Sequence, residues 1–237
     1  MWGAASALWS LPEIFAGGEV RNFVFFGDGR RLPPVEAIEL LRSAYVVDFA
    51  TVFMSAIPFV LVSVLFLAIV RDLYAFSRLR ALLAGLFLGA SMISGLLLGF
   101  TVLRVSAFAF QSTVLSAAEQ QWLEGGITFL NQIHLIFLDG WYFFVGLGWI
   151  FMGLAASGCG HRNRAIGFIA VTAGAMVLGG VMAAFWRPTY GEMVPLLVAS
   201  LQNKSIEGGL ALGLATSGLL AWSLSFGASD QVNVSTP

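Results

Sequence analysis

The chain has 237 residues, 58% of them hydrophobic and 11% charged, with a net charge of −1. A soluble domain carries about 25% charged residues to cover its surface, so a mean hydropathy of +0.87 excludes an ordinary soluble fold. The charge balance offers no basic stripe for phosphates and argues against a nucleic-acid partner. The one cysteine, Cys159, rules out an intrachain disulfide and a cysteine-rich zinc site.

In chain order, residues 1–17 are apolar but lack a basic leader and contain Pro12 and Glu13, which does not fit a cleavable signal peptide. They fall short of the ~20 apolar residues that a spanning helix needs. With Trp2 and Trp9 at headgroup level they read as an interfacial helix. Residues 18–43 read as extramembrane: Gly27-Asp28-Gly29 signals a turn, and Pro33-Pro34 open a short helix with Glu36 and Glu39 near its positive end.

Five stretches are long and apolar enough to span: Ala44–Val70, Ala81–Leu103, Ile133–Ala156, Ala165–Trp186 and Gly208–Gly227. The fold class expected is therefore an all-α integral membrane protein, a bundle of five transmembrane helices, or six if residues 1–17 also cross. Its parts are an extramembrane or interfacial segment (1–43), the bundle (44–227) and a polar C-terminal tail (228–237). In the connection 104–132, the Gly125-Gly126 pair predicts a helix break before the third span. In the connection 187–207, Pro188 and Pro195 predict an interruption before the fifth.

Lysine and arginine in short loops set orientation. Arg71, Arg78 and Arg80 follow the first span, and His161, Arg162 and Arg164 follow the third. The loops at 71–80 and 157–164, and with them the C-terminus, are expected in the cytoplasm, in the plasma membrane of a bacterium. Two triplets match the glycosylation pattern, Asn203-Lys204-Ser205 and Asn233-Val234-Ser235, and only the first lies outside in this orientation.

Helices in lipid associate through small residues that let backbones approach. The fifth span carries such a ridge at Gly209, Gly213, Ser217, Ala221 and Ser225. The second carries Ala81, Gly85 and Gly89, and the fourth Ala175, Gly179 and Ala183. These ridges predict tight packing within the bundle, or docking of one ridge onto another membrane chain.

Ionisable groups in a span are costly and need a partner or a water cavity. Asp48, Arg104, His134, Asp139, Arg187 and Glu207 all fall in the outer half under the one orientation. They define a candidate polar cluster. It is either an ion-pair network, with Arg104 and Arg187 neutralising Asp48 and Asp139, or a site that handles a proton or cation. His134 and Asp139 lie about 140° apart around a regular helix and cannot ligate one metal together. No nucleophile elbow, P-loop, dinucleotide fingerprint or metalloprotease motif occurs. The aromatic wealth, including Trp141, Tyr142, Phe143 and Phe144, suits lipid contact or an apolar ligand such as a quinone, carotenoid or lipid.

Two stretches carry a family likeness. One is Ala44–Arg80, with Asp48 early and Arg71-Asp72-Leu73-Tyr74 late; the other is Phe144–Gly180, with Gly146-Leu147-Gly148, Gly153, a basic turn and Ala165-Ile166-Gly167-Phe168. They resemble an uncharacterised bacterial family of multi-span membrane proteins. That family places a proline after the basic residues of the turn, and His161-Arg162-Asn163-Arg164 lacks it. The likeness covers about a third of the chain and implies a helical membrane fold and no activity. The function expected is thus a non-catalytic membrane component, an accessory or scaffold subunit or an apolar-ligand binder. The alternative is a small transporter or membrane enzyme that uses the polar cluster.

Overall fold

The computed structural model describes residues 59–111, 117–185 and 194–232, and these residues are helical throughout apart from two short turns. The helices are α1 (59–74), α2 (Arg78–Gln111), α3 (Ala117–Ala156), α4 (His161–Phe185) and α5 (Val194–Val232). Among the described residues, four segments are long and apolar enough to cross a membrane: Arg78–Thr101, Ile136–Ala156, His161–Ala183 and Lys204–Ser225. The N-terminal segment 1–43 and most of the first expected span lie outside the described residues, as do residues 233–237 of the tail.

The break expected at Gly125-Gly126 is absent, and of the interruption expected at Pro188 and Pro195, Pro188 lies outside the described residues. α3 runs without interruption through Gly125 and Gly126. Each glycine costs about 1 kcal/mol relative to alanine in a helix, and the hydrogen-bonded turns on either side carry the 40-residue helix across them. Pro195 is the second residue of α5. In the first turn the missing proline N–H has no intrahelical acceptor to lose, so Pro195 starts the helix rather than breaking it. α5 also continues past Gly227 to Val232, into the segment expected as a polar tail.

The chain divides into two compact units. One holds the described residues of Val60–Ile93 and Asp139–Pro237, and the other Phe59 and the described residues of Ser94–Leu138. In the second unit α2 and α3 present Leu96, Phe100, Trp122, Phe129 and Ile136 as exposed apolar side chains.

The first unit has its core on heptad-like spacing, alternating steps of three and four. The buried positions are Phe66, Ile69 and Leu73 on α1, and Ala81, Ala84, Leu88 and Ser91 on α2. They continue with Val145, Trp149, Met152 and Ala156 on α3, and Ala170, Ala173 and Val177 on α4. α5 adds Ile206, Gly209, Gly213, Thr216, Leu220 and Ser223. Such spacing keeps one stripe of each helix on its neighbours over several turns. The opposite stripe of α2 keeps the same steps with Leu79, Leu82, Leu86 and Ile93, all exposed. This helix is apolar on both faces, the character of a helix in a membrane or a large core.

α3 and α4 meet backbone to backbone. A Cβ on Gly153 would meet the carbonyl oxygen of Gly167, and a Cβ on Gly167 would meet that of Gly153. Gly146 and Gly174 form a second reciprocal pair two helical turns away. Gly148 admits Leu88 of α2, whose Cγ would lie 2.6 Å from an added Cβ.

The turns follow local chemistry. Ser77 precedes α2 and its carbonyl accepts from Ala81 N–H; serine is a favoured residue at this position. Gly160 precedes α4, accepts from Arg164 N–H and has φ +103°, a backbone conformation that side chains disfavour.

Candidate functional site

Most of the expected polar cluster lies outside what the structure describes. Asp48 and Arg187 lie outside the described residues. Arg104 is on α2 and His134 on α3, and the side chains of both lie outside what is described. Asp139 is half-buried on α3, and Glu207 is exposed near the start of the apolar part of α5. Among the described residues, no group of three or more His, Cys, Asp or Glu side chains is arranged to hold a metal ion.

The small residues are better placed. Gly209 lies against α4, where an added Cβ would come within 2.7 Å of Val177 Cγ2 and 2.9 Å of Ala173 O. Gly213 lies under the six-membered ring of Trp149. Ser217, one turn further, accepts a hydrogen bond from Trp149 Nε1 at 3.2 Å and donates one to Gly213 O at 2.8 Å. Gly85 faces Val70 Cγ1 at 3.1 Å. Gly89 and Gly179 are exposed, with nothing within 4 Å of an added Cβ.

Trp149 is therefore the hub of the interior. It is the largest fully buried side chain among the described residues, at 1% exposure. Its ring occupies the space that Gly213 leaves, and its polar edge is satisfied by Ser217. An indole N–H needs such a partner when buried. The sequence offered one signal for it, a glycine and a serine four residues apart on a neighbouring helix. It gave no indication of which tryptophan would fill the gap.

The buried polar side chains among the described residues are all Ser or Thr: Ser91, Thr101, Thr216, Ser217 and Ser223. Thr101 and Thr216 donate to the carbonyls of Leu97 and Leu212 on their own helices. Ser205 reaches across from α5 to Met176 O on α4 at 2.7 Å. Ser205 belongs to the first glycosylation triplet, and that triplet lies on a helix rather than in a loop. Among the described residues, two buried side-chain atoms have no hydrogen-bond partner, Ser91 Oγ and Trp141 Nε1. Phe144, Phe87 and Phe151 form a stack between α3 and α2, with ring centroids 6.4 and 5.5 Å apart.

The basic turns meet at one end of this unit. Arg80 Nη1 donates to Leu154 O at 2.9 Å, which ties the start of α2 to the end of α3. Ser223 Oγ donates to Asn163 Oδ1 at 2.6 Å, and Asn163 Nδ2 donates to Cys159 O at 3.3 Å. These contacts fix α5 to the start of α4 and to the turn before it. The Arg162 guanidinium lies 4.4 Å from the centre of the Trp222 ring, and Arg78 lies 6.0 Å from that of Tyr74. Arg71 pairs with Asp72 at 2.8 Å on the surface. Partial burial pushes the Cys159 thiol above its ordinary pKa. Asn163, Ser223 and Trp222 were not evident as interacting residues in the sequence, because nothing there brings residues sixty apart together.

No protein family, curated protein or solved structure matches this chain.

Proposed function

We propose that this chain is a non-catalytic, multi-pass membrane component, an accessory or scaffold subunit that packs against other membrane chains or holds an apolar ligand. The observation that carries this reading is the contrast between interior and exterior in the unit around Trp149. The interior is filled by side chains and closely approaching backbones, and the polar groups buried there among the described residues are Ser and Thr hydroxyls and the indole N–H groups of Trp141 and Trp149. The exterior of α2 is a continuous apolar stripe, Leu79, Leu82, Leu86 and Ile93. A packed interior favours a structural role, and an apolar exterior favours lipid and other helices.

The orientation goes with this proposal: the end that carries Arg71, Arg78, Arg80, Arg162 and Arg164 faces the cytoplasm of a bacterium. The partner is a membrane chain, or a molecule of the quinone, carotenoid or lipid type that aromatic side chains accommodate. The kinship to an uncharacterised bacterial membrane family belongs to the same proposal and adds no activity to it.

Native mass spectrometry of the protein, extracted gently from its own membranes, tests the reading. A mixed assembly, or a monomer with a stoichiometric extra mass, supports it. A bare monomer or homo-oligomer contradicts it and turns attention to Asp48 and Asp139 as transport residues.

A further inference from the structure

We infer that the basic end of the Trp149 unit is a binding surface for anionic phospholipid headgroups. The inference rests on the membrane-spanning reading above and adds a ligand to it.

Four helices meet there. The Arg80 to Leu154 hydrogen bond joins α2 to α3, and the Asn163 to Ser223 hydrogen bond joins α4 to α5. The junction gathers Arg71, Arg78, Arg80, Arg162 and Arg164, all exposed, with His161 beside them. Negative charge is scarce around it. Asp72 is the one carboxylate between Asp48 and Glu119, no Asp or Glu lies between Asp139 and Glu192, and on α5 the one carboxylate past Ser223 within the helix is Asp230, seven residues on. Asp72 is already engaged by Arg71.

The local electrostatics sharpen the deficit. α2 opens with Arg78 and Arg80, and α4 opens with His161, Arg162 and Arg164; neither has an acidic residue in its first turn. The first turn of a helix is its positive end, where cations are unfavourable and anions favourable. The fold thus gathers positive side chains where the backbone is already positive, and an anion from outside the chain relieves both.

The surroundings indicate a lipid rather than a free anion. Exposed apolar side chains continue from the charged ends along the same helices: Leu79 and Leu82 on α2, Phe168 and Ile169 on α4, Leu219 and Trp222 on α5. A headgroup phosphate among the arginines would have its acyl chains beside these residues. Arg162 over Trp222 is a cation on an amphipathic ring, the pairing expected at a headgroup boundary. Each arginine near an anionic leaflet contributes about 1 kcal/mol, roughly a fivefold change in association.

The test is lipid selectivity of the full chain in phosphatidylcholine vesicles, read with spin-labelled phosphatidylglycerol and spin-labelled phosphatidylcholine. The expected result is a roughly tenfold or greater preference for phosphatidylglycerol that collapses at high salt. Arg78→Gln with Arg164→Gln should lower that preference at least fivefold, and Arg78→Lys with Arg164→Lys should keep most of it. Equal association of the two lipids with the wild-type chain overturns the inference. Displacement of the lipid by millimolar inorganic phosphate also overturns it, in favour of a free-anion site. Release of the chain by alkaline carbonate overturns the membrane reading together with it, whereas a retained chain without lipid preference overturns the headgroup surface alone.

Discussion

Trp149 on α3 and Ser217 on α5 are joined by a buried hydrogen bond of 3.2 Å between indole nitrogen and hydroxyl. The serine hydroxyl in turn donates a hydrogen bond to Gly213 O, so both polar groups are satisfied inside the bundle. Replacing Ser217 with Ala leaves the indole N–H without that partner. The expected cost is about 1–2 kcal/mol, toward the lower end in a membrane environment. Trp149→Phe removes the same bond from the other side. In a double-mutant cycle monitored by thermal unfolding, the two substitutions should therefore be less than additive. Full additivity would show that the bond contributes nothing.

Gly213 tests the packing beneath that bond. A methyl group there collides with the Trp149 ring, which is buried and cannot move aside. Gly213→Ala should cost about 1–3 kcal/mol. Gly89→Ala and Gly179→Ala place a methyl in open space, and the higher helix propensity of alanine makes them neutral or stabilising by up to about 1 kcal/mol. Thermal unfolding of the three variants in one detergent should separate the first from the other two.

The α3–α4 contact is stricter, because the obstructing atoms are backbone. Gly153→Ala and Gly167→Ala each drive a methyl into the facing glycine carbonyl. Neither helix can yield locally, so each substitution should exceed the Gly213→Ala penalty or prevent folding. Limited proteolysis of the 157–160 turn reports the separation directly: cleavage should rise in both variants and stay low in the wild type.

Gly160 carries a backbone requirement rather than a packing one. Its φ of +103° is unfavourable for a side chain, and open space surrounds it. Gly160→Ala should cost about 1–3 kcal/mol through strain alone. Gly158→Ala, in the same turn with only Ala155 O at 3.5 Å, should be nearly neutral. Comparing their unfolding midpoints checks this.

The neighbouring thiol supplies a pH prediction. Burial raises the Cys159 pKa, since the uncharged thiol is favoured over the thiolate away from water. Its thiolate fraction near neutral pH is therefore below that of a free cysteine. Alkylation in the folded protein should be slower than in the unfolded chain and should accelerate as pH rises through and beyond the ordinary thiol range. By linkage, the stability associated with this shift is present at low pH, where the thiol is protonated in both states. It begins to fall as pH passes the unfolded thiol pKa and is lost as pH approaches the higher folded value.

Long apolar runs made the helical segments legible, because an apolar stretch of this length has few alternatives to a helix. Helix ends were harder to read. Gly125-Gly126 and Pro195 are strong local punctuators, yet a long helix outweighed the glycine cost, and the proline sits where helices tolerate it. Residue spacing exposed the small-residue ridges without their facing direction. On α2 the buried stripe runs through Ala81, Ala84, Leu88 and Ser91, which leaves Gly89 outside. Four-residue spacing marks a stripe but does not set its angle to the neighbouring helices. The candidate polar cluster was legible as a set of residues drawn from segments far apart in sequence. Asp139 and Glu207 are the members whose side chains are described, one half-buried and the other exposed.

The central claim is that this bundle crosses a bilayer with its basic end in the cytoplasm. Cys159 is the sole cysteine and lies in the turn at that end, so a membrane-impermeant maleimide can report its side. The measurement uses sealed right-side-out vesicles at mildly alkaline pH. A Gly158→Cys variant in a Cys159→Ser background gives a more exposed thiol in the same turn. The account predicts labelling of both proteins only after the vesicles are permeabilised. Labelling of either in intact vesicles would contradict it.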